Sequence, residues 1–433
     1  MTEWDDKWNG AAGEESSGAG QRRPAAGSHK EARAGAQPGA GGAEQSGTPS
    51  AQPGAGRQQQ SGTPSALAGL RILDFSRVLA GPFATMLLAD LGAEVLKVER
   101  PGSGDDTRAW GPPYDSQGQS TYFDAVNRNK RSLAVDLGTP EGLASARELA
   151  AAADVLVENF RPGLLDGIGL GFEHLRETNP GLIYCSITGF GGSAAGAALP
   201  GYDLLVQALG GLMSITGEPG GEPQKVGVAL VDVLAGLYAS VGILAALNHR
   251  HATGVGQRIE VDLLSSLLAS LVNQASSYTV AGVVPERMGN EHPSIAPYAV
   301  FQTADGRLVL AVGTDRQFQA LCEVIGAPVL AQEARFRTNP ERVANRDALR
   351  AELEVRLAAR PAADWAARLT AARVPAGVVN DIGAAFALAQ TVGLEPLVDI
   401  VTPGGSSIRL PRNPIRLSRT PATYRSAPPD LPG

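Results

Sequence analysis

Between residues 71 and 99 two short apolar runs flank a helical pattern: RILDF, the loop SRVLAG, PFATMLLADLG, then EVLKVE. Two strand-length runs joined by a helix make a βαβ unit, whose strands must be parallel because no hairpin connects them. Pro82 brings the φ of a first helical turn, and Gly92 can end the helix. The pattern recurs, with strands predicted over 132–136, 154–158 and 182–187 and helices over 140–152 and 172–176. Such alternation predicts an α/β fold built on a Rossmann-like, doubly wound parallel sheet.

The flanking sequence sets the domain organisation. Residues 1–64 consist mainly of Gly, Ala, Gln, Ser and Pro, and repeat AQPGAG at 36 and 51 and SGTPSA at 46 and 61. A duplicated polar tract cannot bury enough apolar surface to offset its chain entropy, so a disordered low-complexity tail is expected there. The first part of a large domain then covers 65–285, ending in two apolar helices over 232–248 and 263–277 around a strand at 257–261. A smaller α+β domain is expected over 286–375, with a hairpin turning at Ala304-Asp305-Gly306 and helices over 315–325, 346–358 and 362–372. Residues 376–433 return to complete the large domain, through a strand (AGVVN), a helix and strands near 398–401 and 407–410.

Composition excludes several function classes. Aromatic residues are 5% of the chain and the net charge is −7, which offers nucleic acid few stacking platforms and a repelling field. Cys185 and Cys322 are far apart and show no metal-ligand spacing, which suits a reducing cytoplasm. Glu3, Asp5 and Asp6 come early and no apolar leader follows, so no secretory or transit signal is read and the expected location is cytoplasmic. Residues 226–247 are apolar enough to suggest a membrane span, but Asp232 interrupts them and Asn-His-Arg-His follows at 248–251, so a buried helix is expected. The loop SRVLAGP lacks the Gly-x-Gly-x-x-Gly of a dinucleotide site, and neither a phosphate-binding Gly-Lys-Ser/Thr loop nor a Gly-x-Ser-x-Gly elbow occurs. His249 and His251, two apart at a helix end, cannot share a metal face, and no metal site is expected.

Chemistry is left to polar residues in apolar settings. Asp232 falls at the start of a very apolar helix, where it can be an N-cap or a carboxylate nucleophile made reactive by a dry environment and a helix N-terminus. Tyr202 and Asp203 follow a Pro-Gly turn, a common capping context. Lys130 and Arg131 in NRNKRS form a compact basic spot, and Lys97 and Arg100 flank the end of a strand, where ligands of doubly wound sheets bind. Together these cations could hold the phosphates of an anionic cofactor.

The runs LAGLRILDFSRVLAGPFATMLLADLGAEVLKVERPGSGDDTR, NRNKRSLAVDL, DVLVENFRPG, NPGLIYCSITGFG, PGYDLLVQALGG and VALVDVLAG, in this order and spacing, resemble the family III (CaiB/BaiF-type) CoA-transferases. The resemblance runs from about residue 67 to the C-terminus. It implies an interlocked homodimer that takes coenzyme A as acyl-CoA, with Asp232 attacking the thioester to give an acyl-aspartyl anhydride. It further implies CoA contacts from Val78, Ala80, Arg100, Lys130, Arg131, Asn159, Phe160 and Tyr202, and an active-site acid at Asp203.

Two positions depart from the family pattern. Gly167 stands where many members carry a basic residue, and RMGNEHPSIAPYAVF at 287–301 replaces a tetraglycine lid, leaving Gly289 as its one candidate. This form resembles the branch acting on dicarboxylates with succinyl-CoA as donor. Arg77, Arg287 and His292 are then candidates to face the far carboxylate of an acceptor. The racemase branch of the family is the rival reading, but it has Gly-His-Asp where this chain has Gly201-Tyr202-Asp203, and a tyrosine is a poor base at neutral pH. His174, the possible substitute, is expected on a helix surface. A non-catalytic CoA-binding protein would not need Asp232.

Overall fold

The computed structural model describes residues 64–402 and 404–432, so the tail expected over 1–64 lies outside the described residues apart from Pro64. Six parallel strands form the main sheet: β1 (Arg71–Asp74), β2 (Glu94–Glu99), β3 (Lys130–Ala134), β4 (Val155–Glu158), β5 (Ile183–Thr188) and β6 (Arg258–Asp262). Their order is β3-β2-β1-β4-β5-β6, so the winding direction reverses between β1 and β4. Ligands of such sheets bind in the crevice at that reversal, beyond the carboxyl ends of the strands.

Alternate residues of the strands bury to opposite faces. Ile72, Val95, Val155, Val157, Ile183 and Cys185 share one core with Ala84 and Leu88 of the helix Ala80–Asp90 and Ala235, Ala239 and Ile243 of the helix Leu230–Thr253. Leu73, Leu96, Leu156 and Tyr184 are buried too, and Tyr184 meets Phe172 of the helix Phe172–Thr178 edge-on at 6.1 Å. Each fully buried Leu or Ile contributes about 1.5–3 kcal/mol over its exposed state.

The two core helices touch closely because of one glycine. A Cβ on Gly236 would lie 2.6 Å from the carbonyl oxygen of Ala80 and 3.1 Å from Phe83 Cδ1, so only a residue without a side chain fits. Contrary to the expected buried helix, Leu230–Thr253 is buried on this face alone. Leu237, Tyr238, Val241 and Leu244 are exposed, although the helix is long and apolar enough to cross a membrane. The second apolar helix also differs, since it breaks into Leu263–Ser270 and Val272–Ala281, with Val272 at φ 43°.

A second core lies in the later sequence. Strands β7 (Tyr298–Gln302), β8 (Arg307–Ala311) and β9 (Ala376–Val378) form an antiparallel sheet packed with Phe318, Leu321, Leu349, Leu353 and Trp365. The strand read as opening the returning segment is thus the third strand of this small sheet. A pair, β10 (Leu397–Val401) and β11 (Ser407–Pro411), stands apart. The last described residues come back to the main sheet. Asp90 takes hydrogen bonds from Arg128, Asn129 and Asn413, and Arg425 donates to the carbonyls of Ala89, Gly92 and Ala93.

Gly236→Ala is expected to lower stability by about 1–3 kcal/mol, because the overpacking cost exceeds the helix propensity gained. Thermal unfolding of the variant against wild type measures this.

Candidate active site

A cleft of about 480 Å³ opens at the sheet's reversal point, lined by the segments leaving β1, β4 and β5 together with Tyr202, Asp203, Asp232 and Leu263. The β1 exit, Ser76–Val78, is held on almost every backbone group. Ser76 N–H donates to Asp74 at 3.0 Å, Ser76 O accepts from Lys97 Nζ at 2.8 Å, and Arg77 exchanges bonds of 2.8 and 2.7 Å with the Asn159 amide. Val78 N–H reaches both oxygens of Asp105 at 3.3 Å, and Val78 has φ 68°. A β-branched residue in this left-handed region stores about 1–3 kcal/mol of strain. Ala80 then opens a helix whose N-terminus has no side-chain cap.

Beneath the turn the charges are buried and paired. Lys97 bonds Asp105 at 2.8 Å, and Lys130 bonds Asp74 at 3.1 Å, all four side chains being 0% exposed. Burial alone would raise both carboxyls, but Lys130 and Lys97 hold Asp74 below its usual range, and Lys97 and Thr107 do the same for Asp105.

Across the cleft two carboxylates meet. Asp203 opens the helix Asp203–Leu209; its Oδ1 accepts from Val231 N–H at 2.8 Å and Asp232 N–H at 3.4 Å, while its Oδ2 accepts from Gln207 at 2.7 Å. Asp203 therefore caps the Leu230 helix from another element, and Asp232, third in that helix, makes no cap bond of its own. Burial, and secondly the Asp203 charge, push the Asp232 carboxyl up to about 7.

The profile of CoA-transferase family III matches residues 67–433. The chain belongs to this family. It is 45% identical over 370 residues to a succinate–glutarate CoA-transferase of Agrobacterium fabrum, covering 84% of this chain and 92% of the relative. To the human succinyl-CoA:glutarate CoA-transferase it is 42% identical, with 84% of this chain and 83% of the relative covered. The crystal structure of a CaiB/BaiF family protein from Brucella suis superposes with a TM-score of 0.76 at 45% identity, covering 85% of this chain and 97% of that one. The protein is a family III CoA-transferase.

Of the positions that the family pattern singles out, Val78, Ala80, Asn159, Phe160, Tyr202, Asp203 and Asp232 all line the cleft. Lys130 does not face it: its ammonium is enclosed, donating to Asp74, Pro82 O and Asn127 Oδ1, so no donor is left for a phosphate in this conformation. Arg131 is half-buried on β3, outside the lining. Arg100 lies beside the cleft, and it and Arg77 share the carboxylate of Asp106, with Arg77 5.0 Å above the Phe160 ring. Gly167 ends the short helix Leu164–Gly167 and is exposed.

Three candidates from the later sequence fall elsewhere. Arg287 bonds the carbonyls of Ser214 and Gly221, Gly289 N–H bonds Gly217 O, and His292 meets Tyr298 edge-on at 5.3 Å; none lines the cleft. His174 is exposed on its helix. Asp106 and Arg161 line the cleft without having been singled out, and Asp105, Asn159's partner in holding the turn, was missed as well. Among the described residues no three His, Cys, Asp or Glu side chains gather as metal ligands.

Asp203→Asn keeps an oxygen acceptor for Val231 N–H but removes a charge, at the cost of a poorer bond to Gln207. The Asp232 midpoint should therefore move down from about 7, staying above the ordinary carboxylate value because burial is the larger cause. Carboxyl-carbon NMR titration of both proteins reads the shift.

Proposed function

We propose that this enzyme transfers CoA from succinyl-CoA to a dicarboxylic acid through covalent catalysis by Asp232, in a homodimer. The observation that carries the reading is Asp232 itself. Its carboxylate lines the cleft at the sheet's reversal point, and among the described residues no protein group donates a hydrogen bond to it. Desolvation keeps such an oxygen reactive, while a midpoint near 7 leaves about half of it ionised at neutral pH.

The chemistry proceeds in balanced steps. An Asp232 oxygen attacks the thioester carbonyl, the C–S bond breaks, and CoA leaves as a thiolate from a mixed acyl-aspartyl anhydride. The thiolate attacks the aspartyl carbonyl, releasing succinate and leaving an aspartyl-CoA thioester. The acceptor carboxylate displaces CoA to give a second anhydride, and the thiolate takes the new acyl group, freeing Asp232. Each intermediate carries an energy-rich anhydride or thioester bond on Asp232, so the activation of the donor thioester is passed to the acceptor and no nucleoside triphosphate is consumed. The start of the Ala80 helix, which has no side-chain cap and lines the cleft at Ala80, places the positive end of the helix dipole where the carbonyl oxygens gain charge.

The dicarboxylate preference draws on the relatives, one of which, from Haloarcula hispanica, is a succinyl-CoA:mesaconate CoA-transferase 41% identical over 371 residues. Of the three residues considered for the acceptor's far carboxylate, Arg77 lines the cleft that holds Asp232. A homodimer would cover the exposed apolar row Leu237, Tyr238, Val241 and Leu244, an unusual surface for a lone soluble chain.

Asp232→Ala should cut transfer by more than a hundredfold, at least about 2.7 kcal/mol in the barrier, with the far-ultraviolet circular dichroism unchanged. Retention of more than a hundredth of wild-type turnover would exclude covalent catalysis through this residue. With succinyl-CoA as donor, C4 to C6 dicarboxylates should exceed monocarboxylates of equal length by at least tenfold in kcat/KM, about 1.4 kcal/mol. Equal use of monocarboxylates would remove the dicarboxylate assignment and leave the transferase standing.

A further inference from the structure

The turn Ser76–Val78 poses a physical problem. Valine disfavours the left-handed region, yet Val78 sits at φ 68° and lines the cleft with Leu79 and Ala80. Strain of this kind persists where the surroundings over-determine the backbone. Here the surroundings are side chains from the ends of neighbouring strands. Lys97, on β2, donates to Ser76 O and Asp105 at 2.8 Å each, and Asp105 accepts from Val78 N–H at 3.3 Å. Asp105 is itself fixed: its N–H donates to Glu99 at 2.8 Å, and Thr107 donates to it from N–H at 3.0 Å and Oγ1 at 2.9 Å. Glu99 is held in turn by two bonds from Arg108.

We infer that Lys97 and Asp105 are positioning residues, a buried ion pair that holds the Ser76–Val78 turn in its strained shape so that one wall of the cleft is preformed for the acyl-CoA. The inference rests on the CoA-transferase reading of the cleft. Neither residue touches substrate: Lys97 is enclosed below the turn, and Asp105 is spent on Lys97, Val78 and Thr107. Close packing around the turn adds to the constraint, since a Cβ on Gly81 would lie 2.3 Å from Ser76 Cβ. If the pair is loosened, Val78 relaxes towards negative φ and carries Leu79 and Ala80 with it.

The test uses the full chain with Asp105→Asn, Asp105→Asn combined with Val78→Gly, and Lys97→Met combined with Asp105→Leu. Asp105→Asn should lower kcat/KM for succinyl-CoA at least tenfold and raise the calorimetric Kd of CoA by a similar factor, with kcat/KM for glutarate within twofold of wild type. Glycine adopts φ near +68° without strain, so adding Val78→Gly should recover at least threefold of the loss. A merely structural role would lower the melting temperature and the active fraction but give no selective loss for the thioester and no rescue by glycine. The apolar pair variant removes the clamp without leaving a buried charge unpaired, so it reports the same selective loss should Asp105→Asn fail to fold.

An unchanged CoA Kd in a folded variant, or no recovery on adding Val78→Gly, overturns the proposal. Wild-type exchange between succinyl-CoA and glutarate tests the parent reading separately. Were that exchange absent, amide hydrogen exchange at residues 77 and 78 would still decide the clamp. Asp105→Asn must speed it at least tenfold without affecting β4, and equal protection overturns the inference.

Discussion

Two ammonium groups without access to water, Lys97 and Lys130, govern the architecture around the cleft. Removing charges from water costs several kcal/mol per ion, and only close partners with good geometry offset it. Each lysine has a carboxylate within 3.1 Å and at least one backbone carbonyl, so the penalty is met by bonds that tie strand ends to the segments leaving them. The segments so tied are the turn after β1 and the first turn of the Ala80 helix. A parallel sheet thereby gains a braced rim on the side where its topology places a ligand, along one wall of the cleft that Asp232 also lines.

The fold was legible in the sequence because its signals are local. Proline at a helix start, glycine at its end and strand-length apolar runs reveal a βαβ unit without any knowledge of distant contacts. Burial of charge is a different matter. Lys130 in NRNKRS reads as a cation available to a cofactor phosphate, and nothing nearby in sequence shows that Asp74, 56 residues earlier, will enclose it. Asp232 was legible as an acid in an apolar helix, but whether it capped that helix depended on Asp203, whose acceptor oxygen arrives from 28 residues away. The outer face of Leu230–Thr253 was misread as buried because it is as apolar as the inner one, and periodicity marks a buried face only when the other face is polar.

Asp203 and Asp232 divide two tasks between like groups. The first spends its oxygens on backbone and amide donors, which fixes the helix start. The second keeps its oxygens unspent, and the neighbouring charge adds to desolvation in making it a stronger base. One carboxylate serves as support and the other stays available, a separation produced by a difference in hydrogen-bond donors rather than in residue type.

The closure of the chain on itself at Asp90 bears on how the protein is made. Asn413 reaches Asp90 across 323 positions and Arg425 reaches Ala93 across 332, so these bonds cannot form until long after the Ala80 helix has been made. Until residue 425 has left the ribosome, the carbonyls at the end of the Ala80 helix lack this donor, and a central helix of the sheet stands incomplete. Contacts of such long sequence separation slow folding, because the entropy of loop closure is lost before the contact rewards it. A chain lacking Asn413 and Arg425 would therefore leave the far end of the Ala80 helix without partners that no nearby residue replaces.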